Sequence, residues 1–314
     1  MRITKNAVEG TVEPFLTDLP PNASGLRTVG VCAGIGDNIW LIQKLRHARE
    51  KFAFCMTDDE PKRGKQIFDL APDVTGHFEY GRFNAFKVLQ NNIQDHIPRW
   101  QDIKQSSFYL SINHHLEIGK RIEEFLPDLP VSFRIDWKTS EFEKMLAAKS
   151  LSRPEPVIGL YGSSYSSVRS WGFWKAPEWT DLAVRVRTLI PEARFAVIGA
   201  TFDTDLANDL VLSLQRLGIP VTPIVGMSLG TVVEVMKKLT YFFSFPSGLA
   251  MLATTIGTPT LMFYPKHLEA MIDAWAAPND IADLTYKGMP FCEPEKAMAW
   301  VKNEYLLTTK VRAA

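Results

Sequence analysis

"FFSFPSGLAMLATTIGTPTLMFYP", residues 242–265, carries the reading of the fold. An aromatic run meets Pro246-Ser247-Gly248, passes into a helix-length stretch of small residues, stops at Gly257-Thr258-Pro259 and resumes as a second apolar run. Strand, tight turn, short helix and strand form the repeating unit of a parallel α/β sheet, and the turn after such a strand is where these sheets meet their ligands. Pro246 suits a first helical turn, Ser247 offers a hydroxyl, and Gly248 removes the side chain that would keep a ligand from the backbone amides. The stretch is a candidate anion site, with ordinary packing of a small-residue helix on the sheet as the alternative.

Working outward, the same alternation recurs on the amino-terminal side. Strand-like runs stand at 157–162, 194–200, 220–226, 240–245 and 260–264, separated by helical patterns such as "PEWTDLAVRVRTLI" and "GTVVEVMKKL". An earlier series stands at 28–34, 52–57 and 106–113. Alternating strands and helices predict parallel sheets covered on both faces. Between the series, "KMLAAKSLSRPEPV" ends a helix in a proline pair that cannot continue it, which puts a linker near residues 148–156. The expected domains are 1–150, 151–270 and a tail of helices and irregular segments, 271–314, returning to the first domain.

The chain has 314 residues, 46% of them hydrophobic and 22% charged, with 35 basic and 35 acidic side chains. Residues 1–150 hold 20 of each sign, so neither half carries a bulk basic field that would draw it to nucleic acid or an anionic membrane by net charge. Three scattered cysteines (Cys32, Cys55, Cys292) suit neither a disulfide framework nor a zinc cluster, and a reducing cytoplasm is the expected setting. No signal core or membrane-length apolar run is read.

Several other stretches combine glycine, hydroxyl and charge. "GIGDNIWLIQKLRHARE" (34–50) places Asp37 at a helix start beyond a strand, as a cap or as a carboxylate facing a ligand. "LYGSSYSSVRSWGFWKAPEW" (160–179) supplies Ser163, Ser164, Arg169 and Lys175, groups that could surround a diphosphate or lie on the surface. Its tryptophans read as packing. "GATFDTDLANDL" holds an Asp-x-Asp pair, Asp203 and Asp205, which suits capping or a ribose contact better than a metal. No metal-ligand set is read elsewhere. "NHHLE" (113–117) puts Asn113 and His114 just past a strand end, as a cap or on an acceptor side.

Taken in order, "GIGDNIWLIQKL", "YGSS...WKAPEW...LA", "VIGATFDTD", "GMSLGTVVEVM" and "SFPSGLAMLATTIGTPTLMFYP" resemble family nine glycosyltransferases, the bacterial heptosyltransferase family. The resemblance covers roughly residues 28–60 and 157–265. It implies a GT-B fold, two Rossmann-like parallel-sheet domains facing a cleft, acting by inversion without a metal. A nucleoside-diphosphate sugar is the donor substrate and no cofactor is expected. It implies Asp37 as the base. Donor contacts would be Ser163, Ser164, Arg169, Lys175, Asp203, Met227, Ser247, Gly248 and Leu249, and acceptor contacts Gly36, Asn38, Asn113 and His114. Three positions depart from the family: Pro246 stands for an aspartate, Met251 for a histidine and Gln43 for a proline.

"INHHLEIGKRIEEFLPDLP" (112–130) resembles virus-encoded enzymes that glycosylate hydroxymethylated bases in DNA. The expected enzyme is thus a hexosyl- or pentosyltransferase of a bacterial or phage-infected cytoplasm, acting on 5-hydroxymethylpyrimidine in DNA. A stripe of Lys62, Arg63 and Lys65 with Lys44 and Arg49 would serve that substrate. The alternative acceptor is a saccharide, as in lipopolysaccharide core synthesis. Other classes with this layout are a nucleotide-sugar 2-epimerase and a non-catalytic nucleotide-binding protein.

Overall fold

The computed structural model describes residues 27–32, 35–48, 52–57, 62–71, 73–74, 76–81, 129–132, 134–152, 156–163, 174–245, 247–264, 286–290, 298–299 and 302. The chain divides into two compact units, Met1–Lys138 and Thr139–Ala314.

In the first unit, β1 (Arg27–Cys32), β2 (Phe52–Thr57) and β3 (Gly76–Gly81) form a parallel sheet in that order. Val29 stands opposite Phe54, and Phe54 opposite Phe78. α1 (Ile35–Leu45) and α2 (Lys62–Asp69) are the crossovers that parallel pairing demands. α1 buries Ile39, Leu41, Ile42 and Leu45, and α2 buries Ile67 and Phe68. Residues 129–138 run back along these helices. The Ser132 amide donates to the Gln43 carbonyl at 3.1 Å and the Lys138 amide to the Leu70 carbonyl at 2.8 Å, while Ile135 and Trp137 are buried. Arg46 adds bonds to the Arg134 carbonyl at 2.9 Å and to Asp73 at 2.7 Å.

β1 and β2 fall on expected runs, but β3 was not foreseen. Its sequence, Gly-His-Phe-Glu-Tyr-Gly, alternates polar and aromatic residues between two glycines and lacks the apolar run that marks the others. The strand expected at 106–113 lies outside the described residues. One expectation is corrected here: Lys44 cannot belong to a phosphate-facing stripe. It is 1% exposed, and its ammonium donates to the Leu129 carbonyl at 2.8 Å. Arg49 and the side chains of Lys62, Arg63 and Lys65 lie outside the description.

The second unit opens with α3 (Glu141–Ser150) and, among the described residues, then alternates strand and helix as far as β8: β4 (Val157–Tyr161), α4 (Ala176–Leu189), β5 (Arg194–Gly199), α5 (Thr204–Arg216), β6 (Val221–Val225), α6 (Leu229–Met236), β7 (Tyr241–Ser244), α7 (Gly248–Ile256) and β8 (Thr260–Tyr264), with β9 (Tyr286–Pro290) after them. The six strands are parallel and ordered β6-β5-β4-β7-β8-β9. β4 and β7, in the middle of the sheet, are buried at every position, the mark of strands covered on both faces. α7 ends at Gly257, whose φ of 98° is the left-handed turn that closes a helix at little cost for glycine, and Pro259 keeps it closed. That is why the opening stretch changes from helix to strand where it does.

Two boundaries differ from expectation. The units part at Lys138 and Thr139, before the helix that precedes the Arg-Pro-Glu-Pro linker rather than after it. α3 is held on α6, where the Thr139 hydroxyl donates to Glu234 at 2.5 Å and Ser228 to Glu143 at 2.9 Å. Beyond residue 265, where helices and irregular segments were expected, β9 extends the sheet on the far side of β8 with Thr260 opposite Tyr286. Its Tyr-Lys-Gly-Met-Pro sequence has the composition of a sheet edge rather than of a buried strand. The expected return of the tail to the first domain lies outside the described residues.

Candidate functional site

The strand order of the second unit reverses between β4 and β7. Chains leaving the carboxyl ends of those neighbours part in opposite directions, and the crevice they leave is the ligand position of an open parallel sheet. The helices α4, α5, α6 and α7 all begin on this edge, each presenting amides that no carbonyl one turn back can satisfy and the positive end of a dipole. What occupies each start decides where a foreign anion can go.

Carboxylates of the chain itself bond at the starts of α4 and α6 and in the turn that precedes α5. At α4, Glu178 accepts from the Lys175 amide at 2.8 Å. Before α5, a short 3-10 turn (Thr201–Asp203) folds Asp203 inward until the residue is 5% exposed. Its Oδ2 accepts from the Ala200 amide at 3.0 Å and from the Tyr161 hydroxyl at 3.1 Å, and its Oδ1 accepts from the Ser163 hydroxyl at 2.5 Å. Asp203 thus ties the end of β4 to the end of β5.

At α6 the carboxylate comes from far away in sequence. Glu143 of α3 accepts from the Ser228 hydroxyl at 2.9 Å and, through its other oxygen, from the Ser140 amide at 2.8 Å and hydroxyl at 2.9 Å. Only glycine permits this approach: a Cβ on Gly230 would lie 2.1 Å from Oε1 of Glu143. Burial pushes the Glu143 pKa up, but the hydrogen bonds from Ser140 and Ser228 outweigh it and leave the group below the ordinary glutamate value. Glu234 on α6 behaves alike. Burial raises its pKa, and the bonds from Lys237 and Thr139, with the Lys237 and Lys144 charges, bring it below the usual value.

α7 is different. It has no acidic residue in its first turn, and among the described residues no carboxylate bonds to its start. Ser247, 6% exposed, caps it by accepting from the Ala250 amide at 3.1 Å, with the Ser244 hydroxyl 3.2 Å away. Gly248 and Leu249, the first helical residues, remain half-buried rather than covered. The turn before them rests on an aromatic floor. Trp179 packs edge-on to Phe245 at 5.3 Å and to Trp174 at 5.0 Å, and Trp174 lies 4.7 Å from Phe263.

The residues expected to contact a donor are placed as follows. Ser163 and Asp203 are in contact; Ser247 is a cap; Gly248 and Leu249 form the open start; Lys175 is exposed at the head of α4; Met227 is half-buried in the turn before α6. Asp205 is exposed while Asp203 points inward, so the Asp-x-Asp pair does not converge on one point. Ser164, Arg169, Asn113, His114 and Pro246 lie outside the described residues. In the first unit Asp37 is the third residue of α1, with Gly36 and Asn38 beside it buried. Sequence reading missed Tyr161, the last residue of an otherwise apolar strand, and Glu143, whose partner stands 85 positions away. Only the glycine at 230 signalled that something approaches there.

Among the described residues, no group of three His, Cys, Asp or Glu could hold a metal ion, and no helix is long and apolar enough to cross a membrane. No protein-family model and no curated protein matches the chain. Solved structures do. A glycosyl transferase family 9 protein from Veillonella parvula is 13% identical with a TM-score of 0.56, over 91% of this chain and 88% of that one. The E. coli ADP-heptose lipopolysaccharide heptosyltransferase II is 12% identical with a TM-score of 0.55, over 90% and 99%. The E. coli heptosyltransferase WaaC, solved with ADP, is 10% identical with a TM-score of 0.52, over 88% and 99%. These likenesses establish the fold, the parallel α/β architecture of the GT-B glycosyltransferases.

Proposed function

We propose that the protein is an inverting glycosyltransferase that moves a sugar from a nucleoside diphosphate to a saccharide hydroxyl. One observation carries the reading: among the described residues no carboxylate bonds to the start of α7 at the crevice, while Glu178 and Glu143 bond at the starts of α4 and α6 and Asp203 braces the turn before α5. A diphosphate needs such an open start.

In the proposed reaction the acceptor oxygen attacks the anomeric carbon as Asp37 takes its proton. The bond from that carbon to the diphosphate oxygen breaks, and the nucleoside diphosphate leaves with the electron pair. The amides of Gly248 and Leu249, the α7 dipole and the exposed Lys175 would stabilise the charge on the leaving group, work that a metal does in other enzymes. The saccharide acceptor is favoured by the fold neighbours named as lipopolysaccharide heptosyltransferases. The DNA alternative loses Lys44 from its phosphate stripe.

The test is to incubate the protein with a panel of radiolabelled nucleotide sugars and either lipopolysaccharide-core saccharides or hydroxymethylcytosine DNA, then weigh the products. Label transferred to saccharide supports the proposal. Label on a nucleoside replaces it with the DNA enzyme, an isomerised donor with a 2-epimerase, and binding without turnover with a nucleotide-binding protein.

A further inference from the structure

We infer that the solvent face of α3 is a docking surface for a second copy of this chain, the two helices packing antiparallel about Met145. α3 turns one side to its own unit. Ala147 is buried there, Glu143, Leu146 and Ser150 are half-buried, and Glu143 accepts from Ser228 at the head of α6 at 2.9 Å. The opposite side carries Glu141, Phe142, Lys144, Met145, Ala148 and Lys149, all exposed. Phe142 is 62% exposed and Met145 56%, and residues three apart are neighbours on a helix surface. Val184 on α4 and Leu212 on α5 are also exposed, but each has only polar residues three and four positions away along its helix.

The order of the exposed residues on α3 selects the partner. With a rise of about 1.5 Å per residue, Glu141 and Lys149 stand about 6 Å to either side of Met145 along the helix axis, and Phe142 and Ala148 about 4.5 Å to either side. A two-fold axis through Met145 therefore brings Glu141 of each copy level with Lys149 of the other. It also sets Phe142 against Ala148, large against small, twice over. The antiparallel arrangement opposes the two helix dipoles, whereas a parallel one would set Glu141 against Glu141 and Lys149 against Lys149.

Both charges are available for this exchange. Among the described residues Lys149 has no ion pair. Glu141 gives one oxygen to Lys144 at 2.7 Å, but its side chain is 90% exposed, and so solvated a pair holds the carboxylate weakly. The contact is isologous and closes at two copies. Its apolar centre is two side chains from each chain, far less than the roughly 1,200 Å² that a stable interface buries, so the dimer forms and parts with concentration.

The experiment is sedimentation velocity of the full chain from about 1 μM to about 1 mM, on wild type, Glu141→Lys, Lys149→Glu, an equal mixture of those two, and Met145→Glu. Wild type is expected to pass from monomer to dimer mass. Each charge variant should weaken self-association about tenfold or more, because two like-charge contacts replace two attractive ones. Their mixture should recover wild-type association, since Lys at 141 then faces Glu at 149 and the native pair faces itself. Met145→Glu, which sets two carboxylates together on the axis, should stay monomeric. The mixture is the decisive arm, because a folding defect is not repaired by mixing. Wild type that remains monomer throughout overturns the inference, and so does a dimer indifferent to these variants or a mixture no better than its components. Monomeric wild type that instead cosediments with phosphatidylserine vesicles also overturns it and gives the face to a lipid surface.

Discussion

α6 and α7 make a controlled pair. Both follow a strand of the same sheet, leave the same edge, and are capped by a serine hydroxyl that accepts from the amide three residues on, at 3.2 Å from Thr231 and 3.1 Å from Ala250. They differ in what the serine hydroxyl meets next. Ser228 donates to the Glu143 carboxylate, and Ser247 lies beside the Ser244 hydroxyl. One start meets an anion of the chain's own, whereas among the described residues no carboxylate bonds to the other. A helix start is thus a site only when the fold has not already neutralised it, and a carboxylate at a start has to be tested for structure before it is credited with chemistry.

Asp37 at the start of α1 is the sharpest case. If it is the base, Asp37→Asn lowers turnover about 10²- to 10⁴-fold, or roughly 3 to 5 kcal/mol, with donor affinity nearly intact. Steady-state transfer rates read this, and near-normal turnover would place Asp37 with Glu143 as a structural carboxylate. Closing α7 as α6 is closed comes next. Gly248→Asp should reduce nucleoside diphosphate affinity about hundredfold without lowering the unfolding temperature, because the new charge suits the helix and opposes the ligand. Retained affinity in calorimetry would remove α7 as the diphosphate site.

The smaller effects act on α6. Gly230→Ala drives a methyl into the Glu143 carboxylate and should cost about 2 kcal/mol in urea unfolding, with the slope unchanged. Glu143→Gln should cost at most about 1 kcal/mol at neutral pH, the scale of a charge at a helix start. Because the folded pKa of Glu143 lies below the ordinary value, its contribution is full above the ordinary glutamate range and is lost as pH falls through the folded value. Stability curves of wild type and Glu143→Gln should therefore converge in acid; a constant gap down to low pH would mean that the charge is not what holds α6.

Most of the second unit's layout was legible in the sequence because β4, β5 and β7 are buried along nearly their whole length and so read as continuous apolar runs. β3 and β9 were not, since one alternates and the other is edge-like. Ser247, Gly248 and Asp203 could be found as local patterns of strand end, turn and helix start. Their states could not, because closure is non-local: Asp203 is occupied by Tyr161 and Ser163 from another strand, and α6 by Glu143 from another helix. Lys44 shows the same gap, a basic letter in a plausible stripe whose charge is spent on the Leu129 carbonyl.

The pairing of β4 with β7, Tyr161 opposite Ser244, also governs when the site comes into being. Between the two strands lie β5, β6 and, among the described residues, three α-helices, so their contact closes a long loop, and such contacts form late and slowly in folding. A chain halted before β7 contains every residue of the Asp203 bracket yet has no crevice and no open helix start. On the proposed donor reading, nucleotide binding during refolding would report completion of the sheet, whereas helix content reports only its beginning.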